Sequence, residues 1–126
     1  SDYKGFFKQF RARFIAEEPT MGSIQTASLK KFLNKDDIYG EDLSMMRYHT
    51  KSNPFLEKTL FEYTYEFAQK LLGEFLNGTD RCFKLKYIQY EWVRITMEQA
   101  RREKWFCSGL IYWMFNDCWP AASGWA

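Results

Sequence analysis

Cys107-Ser108-Gly109-Leu110-Ile111-Tyr112-Trp113-Met114-Phe115 is nearly all apolar, short, and closed by the polar pair Asn116-Asp117. A continuous apolar run of this length, bounded by polar residues, has the pattern of a strand covered on both faces, as in a parallel sheet. A second, shorter run stands far upstream: Arg13-Phe14-Ile15-Ala16, ended by Glu17-Glu18-Pro19. Pro19 biases its predecessor toward extended geometry, so residues 13–17 read as a strand. Residues 1–12 are polar-aromatic and read as a loop or short irregular turn.

The chain between the two strands reads mainly as helix. Ser23 can cap a helix over Ile24 to Leu33. Residues 34–43 read as a solvated acidic loop. Their spacing does not fit a calcium-binding EF-hand, which needs a Glu at its twelfth position. Met45 to Lys51 reads as a short helix. Pro54 suits a first helical position. Leu56, Leu60, Tyr63, Phe67 and Leu71 then recur at three- and four-residue steps, which predicts a helix over 55–72. Gly73 is its stop, and Asn77-Gly78-Thr79-Asp80 is a turn. A long helix follows from Asp80 to Lys104, with Tyr87, Ile88, Trp92, Ile95 and Gln99 broadly on one side. The tail after Trp119-Pro120 shows no further element.

Strand, helices, strand is a crossover unit, and such units build parallel α/β sheets or barrels. Two strands cannot close either one, and the apolar last strand would keep unpaired edges. The expected fold class is therefore α/β, helix-rich by residue count, and one fragmentary domain over residues 1–126.

Composition narrows the function classes. The 126 residues carry 18 basic and 16 acidic side chains, a net charge of +2. That balance lacks the basic clustering of a nucleic-acid surface, and Arg101, Arg102 and Lys104 mix with Glu98 and Glu103 as on a solvated helix end. No stretch is apolar enough to span a membrane. Cys82, Cys107 and Cys118 form no CxxC pair, and one histidine is too few for a typical zinc site. An odd cysteine count without a framework suits a reducing, cytoplasmic compartment. Aromatic residues make up 20% of the chain, which fits either a thick core or a surface that stacks flat ligands.

In parallel α/β folds, sites gather at the C-terminal ends of strands. Here those ends are Glu17-Glu18 and Asn116-Asp117. Strand alternation sends Glu17 and Glu18 to opposite sides, so only one of them can easily face a site.

Arg13-Phe14-Ile15-Ala16-Glu17 resembles the R-F-x-S-E segment of glycoside hydrolase family 2. Gly109 to Pro120 resembles the G-x-L-Y-W-Q-L-N-D-x-W-P segment of that family's β-mannosidase branch. Tyr87, Gln89, Tyr90 and Arg101-Arg102 look like the branch's long helix between the two. The resemblance covers nearly the whole chain. It departs at Ala16, where Ser is usual, at Glu18-Pro19, where an aromatic and Gly are usual, and at Ser123-Gly124-Trp125, where Ser-Trp is usual.

The resemblance implies an incomplete (β/α)8 TIM barrel carrying about strands 7 and 8, from a retaining β-glycosidase. Such enzymes use two carboxyl groups about 5–5.5 Å apart, one attacking the anomeric carbon and one protonating the leaving oxygen. It makes Glu17 the nucleophile, with Glu18 the alternative. The family's acid/base belongs to an Asn-Glu pair, and each Asn here is followed by Lys, Pro, Gly or Asp. The fragment alone is thus expected to be inert.

Trp113 is the candidate platform for a sugar ring, or else core. Asn116 and Asp117 bond sugar hydroxyls or organise the loop. Trp119 lines the entrance or pins that loop. His49 is either structural or a substrate contact near the pocket mouth. The implied partner is a carbohydrate, a β-mannoside or related β-glycoside, with no cofactor, no metal, no nucleic acid and no membrane. Uncovered barrel edges imply self-association. The competing classes are a non-catalytic, aromatic-rich carbohydrate-binding module and a helical protein-interaction domain.

Overall fold

The computed structural model describes residues 11–19, 22–51 and 53–125. The expected loop over 1–12 lies mostly outside them. The elements run β1 (Ile15–Pro19), β2 (Gly22–Ser23), α1 (Thr26–Leu29), α2 (Lys35–Tyr39), α3 (Ser44–Tyr48), α4 (Leu60–Leu72), α5 (Gly78–Arg102), β3 (Leu110–Trp113) and β4 (Ser123–Gly124).

β1 and β3 pair in parallel, as the crossover reading requires. β2 and β4 form a separate antiparallel pair, with Gly22 opposite Gly124 and Ser23 opposite Ser123. The tail thus carries an element where none is expected, and Ser23 is a strand residue rather than a cap. The helix expected over 24–33 is one turn at 26–29, with Gln25 at its N-cap and no side-chain cap.

The expected acidic loop contains α2. Asn34 accepts from the Asp37 amide, and the Asp37 carboxylate accepts from the Asn34 amide. This reciprocal capping box fixes a short helix in a segment that charge alone marks as loop. The same device starts α4 five residues later than the apolar stripe suggests. Thr59 and Glu62 cap each other there, and Pro54 falls in a preceding turn. Asn77 caps α5, accepting from the Asp80 amide.

α5 is the spine. Its N-terminal half presents Cys82, Leu85 and Ile88 to Leu29, Leu33, Ile38, Leu43, Met46, Phe61 and Ala68, which form the buried core. Burial pushes the Cys82 thiol pKa up, against a smaller opposing effect of the Arg81 charge. The Arg81 guanidinium is buried and donates through Nη2 to the carbonyls of Ile38 (3.0 Å) and Gly40 (2.8 Å). It thereby satisfies carbonyls that the end of α2 leaves open. The C-terminal half of α5 carries the β1–β3 ladder instead, through Trp92, Thr96 and Gln99. No helix among the described residues is long and apolar enough to cross a membrane.

Gly78 sits where α5 starts against the Tyr39 backbone, and a Cβ there would overlap the Tyr39 carbonyl and Cα. Backbone cannot swing aside as a flexible side chain does. Gly78→Ala should therefore destabilise the chain by about 1–3 kcal/mol, the usual range for overpacking. Urea unfolding measures it, and a change within 0.5 kcal/mol of zero would show that α2 and α5 are not packed so closely.

Candidate functional site

The two strands of the ladder differ in one residue of length. Ile15 pairs with Leu110 and Glu18 with Tyr112, so three steps on β1 oppose two on β3. The extra residue is a β-bulge, a feature that re-aims side chains. Ile15 lies in a small cleft with Thr96, Gln99 and Ala100 of α5. Strict alternation from Ile15 would send Glu17 to the helix and Glu18 away from it. The bulge reverses this assignment. Glu18 Oε1 accepts from Trp92 Nε1 at 2.9 Å and lies 3.3 Å from Thr96 Oγ1, both on α5. Ala16 and Glu17 are exposed on the opposite, open face.

β3 alternates in the same sense. Leu110 and Tyr112 are partly buried toward α5, while Ile111 and Trp113 are exposed on the open face. Glu17 and Trp113 thus share one face near the C-terminal ends of two parallel strands. Among the described residues nothing hydrogen-bonds to the Glu17 side chain. Trp113 is 43% exposed. The peptide bond after it, to Met114, is cis.

Trp113 is braced from the side. The Trp125 ring stands perpendicular to it, with centroids 6.4 Å apart. Lys51 Nζ lies over the Trp125 ring, 3.6 Å from its centroid, and pairs with the Asp117 carboxylate. Asp117 Oδ1 also accepts from the Trp125 amide at 3.2 Å. Gly124 lets the tail lie against Asp117, since a Cβ there would strike the carboxylate. Gln89 Nε2 donates to Tyr112 Oη (3.1 Å) and to the Trp125 carbonyl (3.0 Å), and Tyr112 Oη donates to that same carbonyl (2.7 Å). Burial raises the Tyr112 pKa; donation from Gln89 opposes this, and the Asp117 and Glu18 charges reinforce it. The phenol therefore stays protonated as a donor at neutral pH.

His49 and Trp119 form a second group. Their rings stack with centroids 5.8 Å apart and planes 19° from parallel. His49 Nδ1 donates to the Pro120 carbonyl at 2.8 Å, and the His49 carbonyl accepts from the Ala122 amide at 2.6 Å. Asn116 is exposed, and among the described residues its amide reaches the Asp117 carbonyl alone, at 3.4 Å. Residues 49–51 therefore run beside 117–122, pinning the loop after β3 to the segment after α3. Asp117 is spent on that loop.

Lys51, Gln89, Tyr112 and Trp125 carry this arrangement, and no sequence signal marks Lys51, whose partner is 66 residues away. Among the described residues no group of three or more His, Cys, Asp or Glu is placed to hold a metal ion.

The side chains of Lys51 and Asp117 are only 10% and 12% exposed. Removing one partner of such a pair strands a charge and typically costs about 3–5 kcal/mol. Lys51→Met should lose about that much in urea unfolding. Lys51→Met combined with Asp117→Asn should recover at least half, since the amide still accepts from Trp125 and no charge is left alone. A double variant no more stable than Lys51→Met would count against the pair as the brace.

No protein-family model and no curated protein matches this sequence. Among solved structures, a β-D-mannosidase from Dictyoglomus thermophilum superposes over 100% of the chain with a TM-score of 0.78 at 24% identity. The chain spans 15% of that enzyme's length. The likeness is one of fold: a parallel strand pair on a long helix, with the small helices between, recurs as a portion of a β-mannosidase.

Proposed function

We propose that this chain is the nucleophile-bearing segment of a retaining β-glycosidase of β-mannosidase type, with β1 and β3 as the seventh and eighth strands of its (β/α)8 barrel. One observation carries the proposal: the β1 bulge turns Glu17, and not Glu18, onto the same open face as Trp113. A carboxylate on the same open face as an exposed indole suits a sugar whose apolar face stacks on the ring while its anomeric carbon meets the carboxylate. The fold shared with a β-mannosidase supports the same reading. Asn116 and Trp119, both exposed beyond β3, and His49, which holds Trp119, would shape the pocket mouth. Asp117 would act through the loop.

In this reading Glu17 attacks the anomeric carbon and forms a glycosyl ester. The leaving-group oxygen takes a proton from a second carboxyl group. Water then cleaves the ester, with that second group as base. The second group lies outside these 126 residues. The open face, with Ile111, Trp113 and Glu17, would be covered by other strands of the parent barrel, and the isolated chain would associate through it at high concentration.

The test is a 2-deoxy-2-fluoro-β-mannosyl fluoride applied to the full-length protein that contains this chain. The 2-fluorine disfavours the oxocarbenium-like transition state, so the glycosyl ester accumulates. Peptide mass spectrometry should find the sugar on Glu17. A sugar on Glu18, or on no residue of this chain, would overturn the assignment. The 126-residue chain alone should not hydrolyse an aryl β-mannoside above blank, and turnover abolished by Glu17→Gln would overturn that part.

A further inference from the structure

We infer that Glu18 is a positioning residue, a carboxylate clamp that decides which of the two adjacent acids reaches the site. The inference rests on the reading of Glu17 as nucleophile and adds to it a role for its neighbour. The argument starts from a degeneracy. Glu17 and Glu18 are chemically equal, and shifting the bulge by one residue would exchange their faces. Something must hold the extra residue in place.

The holder is on α5. Trp92 Nε1 donates to Glu18 Oε1 at 2.9 Å. Thr96 Oγ1, on the same helix face one turn on, lies 3.3 Å from the same oxygen and 3.1 Å from the Trp92 carbonyl. Its single hydrogen serves one of these at a time, so Trp92 is the principal donor. Trp92 is itself wedged against Phe67 of α4, edge to face, with centroids 5.1 Å apart. Thr96 is buried. The Glu18 carboxylate, part-buried, sits on the helix side with these donors. Carrying Glu18 to the open face would take this acceptor from the part-buried Trp92 N–H, and losing a hydrogen bond to a charged group is costly. The clamp therefore acts through Glu17: it keeps Glu17 on the open face by keeping Glu18 off it.

The labelling reaction reads this directly. In each event a carboxylate oxygen forms a bond to the anomeric carbon, and fluoride leaves with the electrons of the C–F bond. In the full-length protein, Trp92→Phe with Thr96→Val removes these two donors and nearly conserves volume. Its labelling rate at saturating inactivator should fall about tenfold or more, since small misplacements of a reacting group have effects of that order. The concentration for half-saturation should stay within about twofold, because Trp113 and the rest of the pocket are untouched. Part of the sugar should now appear on Glu18. Glu18→Gln keeps an acceptor for Trp92 and should label at Glu17 within about threefold of the unaltered rate. A role confined to stability would move neither the labelled residue nor the split between rate and saturation.

The outcomes separate. Label on Glu17 at an unchanged rate in the Trp92/Thr96 variant, with none on Glu18, overturns the clamp and leaves the proposed function standing. A Glu18→Gln protein as slow as the Trp92/Thr96 variant also overturns it. Absence of label from Glu17 in the unaltered protein overturns the proposed function, and the clamp with it.

Discussion

One helix has to serve two masters of different geometry. Parallel strands cannot be joined by a tight turn, so everything between β1 and β3 is crossover, and α5 returns the chain to the sheet. Its first half must fit a core of small helices and its second half a pair of strands. The residues along it change accordingly. Gly78 and Arg81 make close backbone contact with α2 possible. Leu85 and Ile88 fill the core. From Gln89 onward Ile95 is the buried apolar side chain, and its inward neighbours are mostly polar or bifunctional: Gln89, Glu91, Trp92, Thr96 and Gln99. Gln89, Trp92, Thr96 and Gln99 meet strand ends and a carboxylate, which need hydrogen bonds as well as contact. The site's geometry is thus inherited from α5 rather than from the strands alone.

Much of this frame is legible in the chain itself. The apolar run at 107–115 marks β3, although only Leu110–Trp113 pairs. The expected strand at 13–17 is displaced by two residues to Ile15–Pro19. The long helix is two residues early at each end. What escapes has physical reasons. α2 is short and acidic, and its capping box is readable only when Asn34 and Asp37 are taken as a pair. β2 and β4 are two residues each, and their pairing spans a hundred positions, beyond any local periodicity.

The acids show the limit most clearly. Alternation establishes that Glu17 and Glu18 part company, yet it assigns them to the wrong faces when counted from Ile15. The bulge that corrects the count has no local signature, because both its flanks are compatible with a strand. The resemblance in Arg13-Phe14-Ile15-Ala16-Glu17 points to Glu17 by motif alone, and the bulge separately puts Glu17 on the open face. Lys51 is the opposite case. It stands in an unremarkable Thr-Lys-Ser run, and its importance exists only once Asp117 and Trp125 arrive beside it.

The contact between Gly124 and the Asp117 carboxylate reaches beyond this one molecule. A side chain at 124 collides with Asp117, Asp117 without Lys51 loses the opposite charge beside a carboxylate only 12% exposed, and Lys51 without Trp125 loses the ring beneath it. None of the four can be exchanged alone at little cost. A lineage that reshapes this end of the strands must either alter all four within a few steps or leave them together. Variation among descendants should then be channelled elsewhere, into exposed positions such as Cys118, which is open to solvent beside this frame.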